Sequence, residues 1–218
     1  MNMNEFKIRC SAINSIMAKP TGKRIISVGA QTYCDKWYKE KIFERKEEIY
    51  SKYTNKGQEV ELSSIDFISE KLYKEQLIKN DEYFSNDYFT GTPDVITENE
   101  IIEIKNSWNC FTFPLLEQEL SNKSYYYQVQ GYMHLTGLRK SKVIYTLMDT
   151  PENIIEDEYN KSIEDDFDIF REKYIFSNIE DKYRMKVFEI DYDETIIDTI
   201  KQRVDSCRVY LNEIQSKL

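Results

Sequence analysis

Three charged residues near the middle of the chain have the types and the spacing needed to act together chemically. Asp94 follows a Gly-Thr-Pro sequence, and Glu103 and Lys105 come nine and eleven residues later in a run otherwise made of isoleucine. The polar segment 97–100 separates two apolar runs, which predicts a β-hairpin. Because side chains alternate across a strand, Glu103 and Lys105 are expected on one face and their isoleucine neighbours on the other. The sequence therefore predicts two carboxylates and one ammonium close together at the edge of a buried sheet.

Such a group suits phosphodiester hydrolysis with the help of a hard metal ion. Mg²⁺ binds a few carboxylate oxygens and fills its other positions with water and substrate phosphate. Asp94 and Glu103 are the predicted carboxylate ligands, and the carbonyl of Ile104 is a further candidate. A bound metal lowers the pKa of a water ligand, and Lys105 can orient that water or stabilise charge on the phosphorus oxygens. A Glu-X-Lys pattern alone is weak evidence, since alternating charges are common on half-exposed strands.

The composition excludes several other kinds of chemistry. The 218 residues include one histidine, His134, so Ser-His and Cys-His nucleophiles would all need it and histidine-clustered metal sites are impossible. The four cysteines show no CxxC spacing, which argues against zinc and iron–sulfur sites and favours a reduced, cytoplasmic protein. A net charge of −9 argues against nucleic-acid binding by bulk electrostatics but allows a local grip. No apolar run is long enough to span a bilayer, so we expect no membrane partner.

The elements that must position the charged residues are those of an α/β protein. Apolar residues at helical intervals predict helices over residues 31–52, 57–73 and 123–137. Alternation and turn residues predict two or three short strands within 82–105, and the apolar run 142–148 predicts a buried strand.

The end of the chain predicts one more helix, over residues 193–217. Asp191 and Glu194 fit a capping box that would open it, and its apolar stripe indicates packing on the core. The order helix, strands, helix, strand predicts a mixed sheet with helices on its faces. Since the chain has no repeat or linker composition, we expect one domain over residues 1–218.

The Pro-Asp dipeptide, the hairpin spacing and the Glu-X-Lys strand together resemble the active site of the PD-(D/E)XK nuclease superfamily. Residues 125–137 resemble the Gln-X-X-X-Tyr helix that follows the catalytic hairpin in RecB-like and lambda-exonuclease-like members. Here that motif falls on Gln128 and Tyr132, four residues apart and so on one helical face. Residues 56–61 resemble the segment that opens the family's first core helix, which implies a further metal-site carboxylate at Glu61, with Glu59 as the other choice.

The N-terminal segment, residues 9–20, resembles the opening of phage lambda exonuclease and of YqaJ-type viral recombinases. In that group an arginine and a serine of this segment, with a small hydroxyl residue before the Pro-Asp, help to hold a 5′-phosphate. The matching residues are Arg9, Ser11 and Thr92. The lambda-type arginine shortly after the catalytic lysine has no counterpart, because Phe111 lies near that place.

The resemblance implies a restriction-endonuclease-like PD-(D/E)XK core of the order αβββαβ, with core motifs at 57–148 and residues 1–30 contributing to a DNA-end site. It implies a Mg²⁺-dependent exonuclease, with Mn²⁺ as the alternative ion and two ions at the site, that digests double-stranded DNA ends 5′ to 3′ in phage recombination. A single-strand annealing protein and a ring-shaped homo-oligomer are the implied partners. The implied catalytic residues are Asp94, Glu103, Lys105, Glu61 and Gln128, with Tyr132 as a substrate contact.

Two alternatives stay open. One is an endonuclease, or a RecB-like nuclease of another polarity, that uses the same catalytic residues. The other belongs to a different class and is a catalytically silent module that binds DNA. The intact Asp94, Glu103 and Lys105 argue against the silent module, because a binding module has no physical need to bury that charge cluster.

Overall fold

The computed structural model describes residues 2–47 and 51–217 of the chain. The helices in these residues are α1 (Asn14–Met17), α2 (Val28–Phe43), α3 (Lys52–Glu59), α4 (Glu61–Ile68), α5 (Lys123–Thr136), α6 (Glu152–Tyr159), α7 (Phe167–Glu172) and α8 (Glu194–Gln215). The strands are β1 (Ile8–Arg9), β2 (Phe84–Ser85), β3 (Phe89–Gly91), β4 (Val95–Ile96), β5 (Ile101–Asn106), β6 (Lys140–Thr146) and β7 (Met185–Asp191).

The central sheet has the strand order β4-β5-β6-β7, and it is mixed because β5 and β6 run parallel while the other two pairs are antiparallel. Strand β5 is buried on both faces. Ile101 packs in a cluster with residues of α5, whereas Ile102 and Ile104 pack in a second cluster with residues of α4. Helices therefore cover both faces of the sheet, and the predicted mixed α/β fold is confirmed.

A second, three-stranded sheet carries the N-terminal segment, with the strand order β1-β3-β2. β1 runs parallel to β3, so that Arg9 lies opposite Thr90. β3 ends three residues before Asp94. This pairing holds the first residues of the chain beside the strand that leads into the hairpin.

Helix α5 has defined ends and a glycine at its closest contact. The Asn122 side chain accepts a hydrogen bond from the N–H of Ser124, and Gly137 ends the helix with a φ of 81°, which glycine adopts without strain. A Cβ placed on Gly131 would lie 2.7 Å from the sulfur of Cys10. Glycine at this position lets the Cys10–Ala12 turn pack directly on α5.

Several predicted element boundaries are wrong. The helix predicted at 57–73 begins earlier and is divided at Val60, whose backbone (φ −97°, ψ 4°) ends α3 before α4 starts. The helix predicted at 31–52 is α2, which ends where Glu44 takes the left-handed conformation; residues 48–50 of that prediction lie outside the described residues.

The capping pair predicted for the C-terminal helix is also wrong. β7 continues through Asp191, and the cap of α8 is Asp193, which accepts hydrogen bonds from the N–H groups of Thr195 and Ile196. Within the described residues, none of the helices combines the length and the apolar character needed to cross a membrane.

Candidate active site

The β4–β5 hairpin brings Asp94 against the middle of β5. The backbone N–H of Ile104 donates a hydrogen bond of 2.7 Å to Oδ2 of Asp94. Asn80 holds the other side of the Pro-Asp segment, because its N–H donates to the carbonyl of Asp94 and its side-chain amide donates to the carbonyl of Pro93. Asp94 is therefore fixed in place from two directions, beside the residue that separates Glu103 from Lys105.

Glu103 and Lys105 share one face of β5 and form an ion pair with N···O of 2.6 Å. Gln128 of α5 joins this pair: its Nε2 donates to Oε1 of Glu103 at 2.7 Å, and its Oε1 accepts from Nζ of Lys105 at 3.3 Å. The same Nε2 lies 3.1 Å from the hydroxyl of Tyr132, which accepts from it. Of the Gln-X-X-X-Tyr motif, Gln128 thus contacts the carboxylate of Glu103 directly, and Tyr132 contacts Gln128.

Burial changes the protonation of these groups. Desolvation and the nearby charge of Glu103 raise the pKa of Asp94 well above its ordinary value. Burial acts to lower the pKa of Lys105, but the charge of Glu103 and the hydrogen bond to it outweigh burial, and the pKa of Lys105 is raised. Lys105 therefore stays an ammonium, and its Nζ also lies 4.4 Å from the centre of the Tyr125 ring.

The site places two carboxyl groups beside a single ammonium. Oε2 of Glu103 is buried and has no hydrogen-bond partner among the described residues, while Oε1 is shared by Lys105 and Gln128. An unpartnered buried carboxylate oxygen beside a second carboxylate fits the ligand set that a divalent cation requires. No three side chains of the Asp, Glu, His and Cys types converge on one point in the described part of the chain. A cation at Asp94 and Glu103 would therefore need backbone, water or substrate oxygens as its other ligands.

Glu61 is the first residue of α4 and lines the same cleft as Asp94 and Glu103. Its Oε2 accepts from Nζ of Lys79 at 2.7 Å. The charge of Glu61 adds to the rise in the pKa of Asp94. The structure thus places Glu61 in the same cleft as Asp94 and Glu103, but Glu61 is already paired with Lys79.

A small polar network fixes α4, and with it Glu61, on the sheet. Oδ1 of Asn106, at the end of β5, accepts from the hydroxyls of Ser64 and Thr146 at 2.6 Å each. Because the three residues belong to α4, β5 and β6, this network sets the position of α4 relative to β5.

The cleft that contains the charged residues has a volume of about 780 Å³. Ile104, a predicted metal ligand through its carbonyl, lies in its wall. Sequence reasoning missed the aromatic side chains that line it, among them Trp108, Tyr53 and Tyr125. Tyr125 precedes Gln128 by three residues, so the helical spacing that identified Gln128 could also have identified Tyr125.

The residues predicted to hold a 5′-phosphate do not all meet in this cleft. Ser11 lines it, whereas Arg9, on the neighbouring strand β1, lines a separate cavity. Thr92 is exposed. The Tyr132 ring is buried against Gly91, where a Cβ would lie 2.5 Å from the ring. Phe111 is 92% exposed on the loop that follows β5.

Several solved structures of exonucleases have a fold similar to that of this chain. The chain superposes on a phage-related exonuclease from Haemophilus somnus 129PT with a TM-score of 0.84 and 28% sequence identity over 99% of both chains. It superposes on the alkaline exonuclease LHK-Exo from Laribacter hongkongensis with a TM-score of 0.66 and 16% identity, over 97% of this chain and 90% of that one. A complex of LHK-Exo with dAMP gives the same TM-score over 96% of this chain.

Comparisons at the level of sequence add no further relative. No family model matches the chain, and no curated protein shows significant similarity to it.

Proposed function

We propose that the chain is a member of the lambda-exonuclease-like branch of the PD-(D/E)XK nuclease superfamily, which its similarity to a phage-related exonuclease supports, and that it is a divalent-metal-dependent exonuclease acting on the ends of double-stranded DNA. The observation that carries the proposal is the group formed by Asp94, Glu103 and Lys105 inside one cleft. In this proposal residues 1–218 act as one nuclease domain.

Asp94 and Glu103, with the carbonyl of Ile104, are the proposed ligands of two Mg²⁺ ions, for which Mn²⁺ can substitute. Glu61 would join them as a further carboxylate by leaving its ion pair with Lys79. Bound metal would supply an acidified water and would neutralise charge on the phosphate. Glu103 already has its Oε2 free of hydrogen bonds from described residues, so this oxygen is available to a cation.

The chain's own groups then position the substrate. Lys105 stays protonated, and its ammonium can donate to the attacking water or to a phosphate oxygen. Gln128 holds Glu103 and Lys105 in their relative orientation, since it contacts both at once. Tyr132 supports Gln128 from within the core.

For the substrate we propose DNA ends digested from 5′ to 3′. The neighbour LHK-Exo was crystallised with dAMP, a deoxynucleotide, which supports a DNA substrate for a chain with the same fold. Ser11 is the proposed contact to the terminal phosphate, because it lines the cleft together with the carboxylates. A role in phage recombination beside a single-strand annealing protein, and a ring-shaped oligomer, complete the proposal.

The test uses linear duplex DNA with a 5′-phosphate or a 5′-hydroxyl, and closed circular DNA, each with Mg²⁺ or with EDTA. Lys105→Ala is compared with Lys142→Ala. Lys142 lies on the neighbouring strand β6 and forms an ion pair of 2.7 Å with Glu100, which precedes β5. We expect Mg²⁺-dependent loss of linear DNA only, faster with the 5′-phosphate, abolished by Lys105→Ala and retained by Lys142→Ala.

Other outcomes would favour the alternatives. Nicking of the circular DNA would identify an endonuclease with the same catalytic residues. Binding of DNA without cleavage in Mg²⁺ or Mn²⁺ would refute the enzymatic proposal and favour a silent binding module.

A further inference from the structure

A second cavity, of about 640 Å³, lies between α2 and the three-stranded sheet, and we call it the Arg9 cavity. It is lined by three acidic and six basic side chains, the latter being Lys7, Arg9, Lys36, Lys41, Arg45 and Lys46. The whole chain has a net charge of −9, so this local excess of positive charge runs against the composition. A concave positive surface on an acidic protein raises the local concentration of anions.

The cations of the Arg9 cavity are mostly without acidic partners. Among the described residues, only Lys36 of the six has a carboxylate within ion-pair distance, that of Glu47 at 2.7 Å. Arg9 instead interacts with the hydroxyl of Tyr33, and this interaction raises the pKa of the Arg9 guanidinium. The charges of this cavity are therefore available to a ligand.

One wall of the Arg9 cavity is a prearranged aromatic surface. Tyr33 and Trp37 lie one turn apart on α2, and both pack edge-on against the buried ring of Phe6, at centroid distances of 6.2 Å and 5.2 Å. Tyr83 lines the cavity from before β2 and is 64% exposed. Aromatic rings interleaved with cations are the combination that binds unpaired nucleotides, because cations contact phosphates while rings stack on base faces.

The Arg9 cavity lies close to the catalytic cleft along the chain. Thr90 lines the cavity, pairs with Arg9 and precedes Asp94 by four residues, which is at most about 13 Å of extended backbone. This upper limit corresponds to roughly four steps between stacked nucleotides, at 3.4 Å per step. Two residues beyond Arg9, Ser11 lines the catalytic cleft itself.

We infer that the Arg9 cavity binds single-stranded DNA, namely the strand that loses its complement as the other strand is digested. The inference rests on the proposed function for the origin of that strand. A duplex is the poorer ligand, because its base faces are stacked and closed to Tyr33, Trp37 and Tyr83, whereas an unpaired strand can use both the rings and the cations.

The experiment measures binding separately from hydrolysis. Fluorescence anisotropy of a labelled twelve-nucleotide oligo(dT), and of a duplex closed at both ends by non-nucleotide linkers, is recorded in EDTA over a range of salt. The variants are Tyr83→Ala, which removes an exposed ring, and the double variant Lys41→Glu with Arg45→Glu, which reverses two exposed charges. The control is Lys161→Glu with Lys182→Glu, two exposed lysines that do not line the Arg9 cavity.

We expect Tyr83→Ala to weaken oligo(dT) binding about fivefold or more. The double variant should weaken it further and reduce the slope of log affinity against log salt by about 0.7 for each phosphate that the protein no longer neutralises. The control should bind as the wild-type protein does. Thermal melting should be unchanged in the variants, since the substituted side chains are exposed.

Unchanged oligo(dT) binding in both cavity variants would overturn the inference. Equal loss for oligo(dT) and for the closed duplex would also overturn it, because the cavity would then bind DNA backbone of any form. If the wild-type protein cleaves nothing but still binds oligo(dT) through these residues, the nuclease proposal fails while the binding site stands.

Discussion

Replacing Lys105 by Met separates its roles in stability, metal binding and catalysis. The substitution keeps the aliphatic stem and removes the ammonium that lies 2.6 Å from Glu103. The Glu103 side chain is only 3% exposed and that of Lys105 is 19% exposed, so water can replace little of the missing interaction. Removal of one partner from a buried ion pair costs about 3–5 kcal/mol, which is the expected decrease in the free energy of unfolding without metal.

Divalent metal should then stabilise the variant more than it stabilises the wild-type protein. Without the ammonium, Asp94 and Glu103 present two carboxylates with no opposing charge, and a cation binds there more tightly. Each tenfold gain in affinity adds about 1.4 kcal/mol of stabilisation at a fixed, saturating metal concentration. Cleavage of linear DNA should nevertheless fall by about 10²–10³, because the charge that assists the reacting phosphate is gone.

The assay is chemical unfolding with and without Mg²⁺ or Mn²⁺, run beside DNA cleavage. Lys142→Met is the matched control, because Lys142 of β6 pairs at 2.7 Å with Glu100, the residue before β5, with side-chain exposures of 18% and 16%. It should lose about 2 kcal/mol, show no additional stabilisation by metal and keep its cleavage activity. If metal stabilises the two variants equally, Asp94 and Glu103 are not metal ligands; if Lys105→Met cleaves as fast as wild type, the assigned role of Lys105 is wrong.

Three further predictions concern the scaffold. Burial lowers the pKa of Lys56 from its ordinary 10.5 to about 8. Between these pH values the unfolded chain binds more protons than the folded chain, so the free energy of unfolding should rise with pH. The difference in that free energy between wild type and Lys56→Met should therefore change by about 3 kcal/mol from pH 7 to pH 10.5. A difference that does not change with pH would show that folding does not lower the pKa of Lys56. Gly131→Ala should cost about 1–3 kcal/mol, because the added methyl meets Cys10 and Ile13 below 3 Å; a melting temperature equal to that of wild type would refute this packing. Asp193→Ala should cost about 1 kcal/mol, whereas Asp191→Ala should cost less, since only Asp193 caps α8; thermal melting that ranks them the other way would refute the assignment.

The catalytic hairpin could be predicted from the sequence because local rules are enough to specify it. Alternation fixes the shared face of Glu103 and Lys105, and the polar turn fixes the pairing that brings Asp94 beside them. The Gln-X-X-X-Tyr motif could likewise be placed on one face of α5. That Gln128 contacts both Glu103 and Lys105 follows only from the packing of α5 on β5, which no local pattern contains.

The less predictable features depend on contacts distant in sequence. The helix predicted over residues 57–73 runs across the boundary between α3 and α4, because nothing in the composition marks Val60. The division places Glu61 at the start of a helix facing the cleft. Helices α6 and α7 and strand β7 were not predicted at all, because the short apolar runs between 149 and 192 are interrupted by charges. The separation of Arg9 from Ser11 arises because the chain leaves the extended conformation of β1 for a turn at Cys10.

Under the proposed function, that separation also explains how an acidic chain can act on a polyanion. Metal at Asp94 and Glu103 would neutralise the scissile phosphate only at the cleft, and the remaining negative charge of the protein repels DNA elsewhere. The cations that oppose this repulsion are concentrated in the Arg9 cavity, beside strand β3, which ends shortly before the β4–β5 hairpin. Raising the salt concentration screens both the repulsion and this attraction. The affinity for DNA should therefore fall with salt concentration at a slope set by the few cations of the Arg9 cavity. A steeper slope, set by many phosphate contacts, would contradict this division of charge.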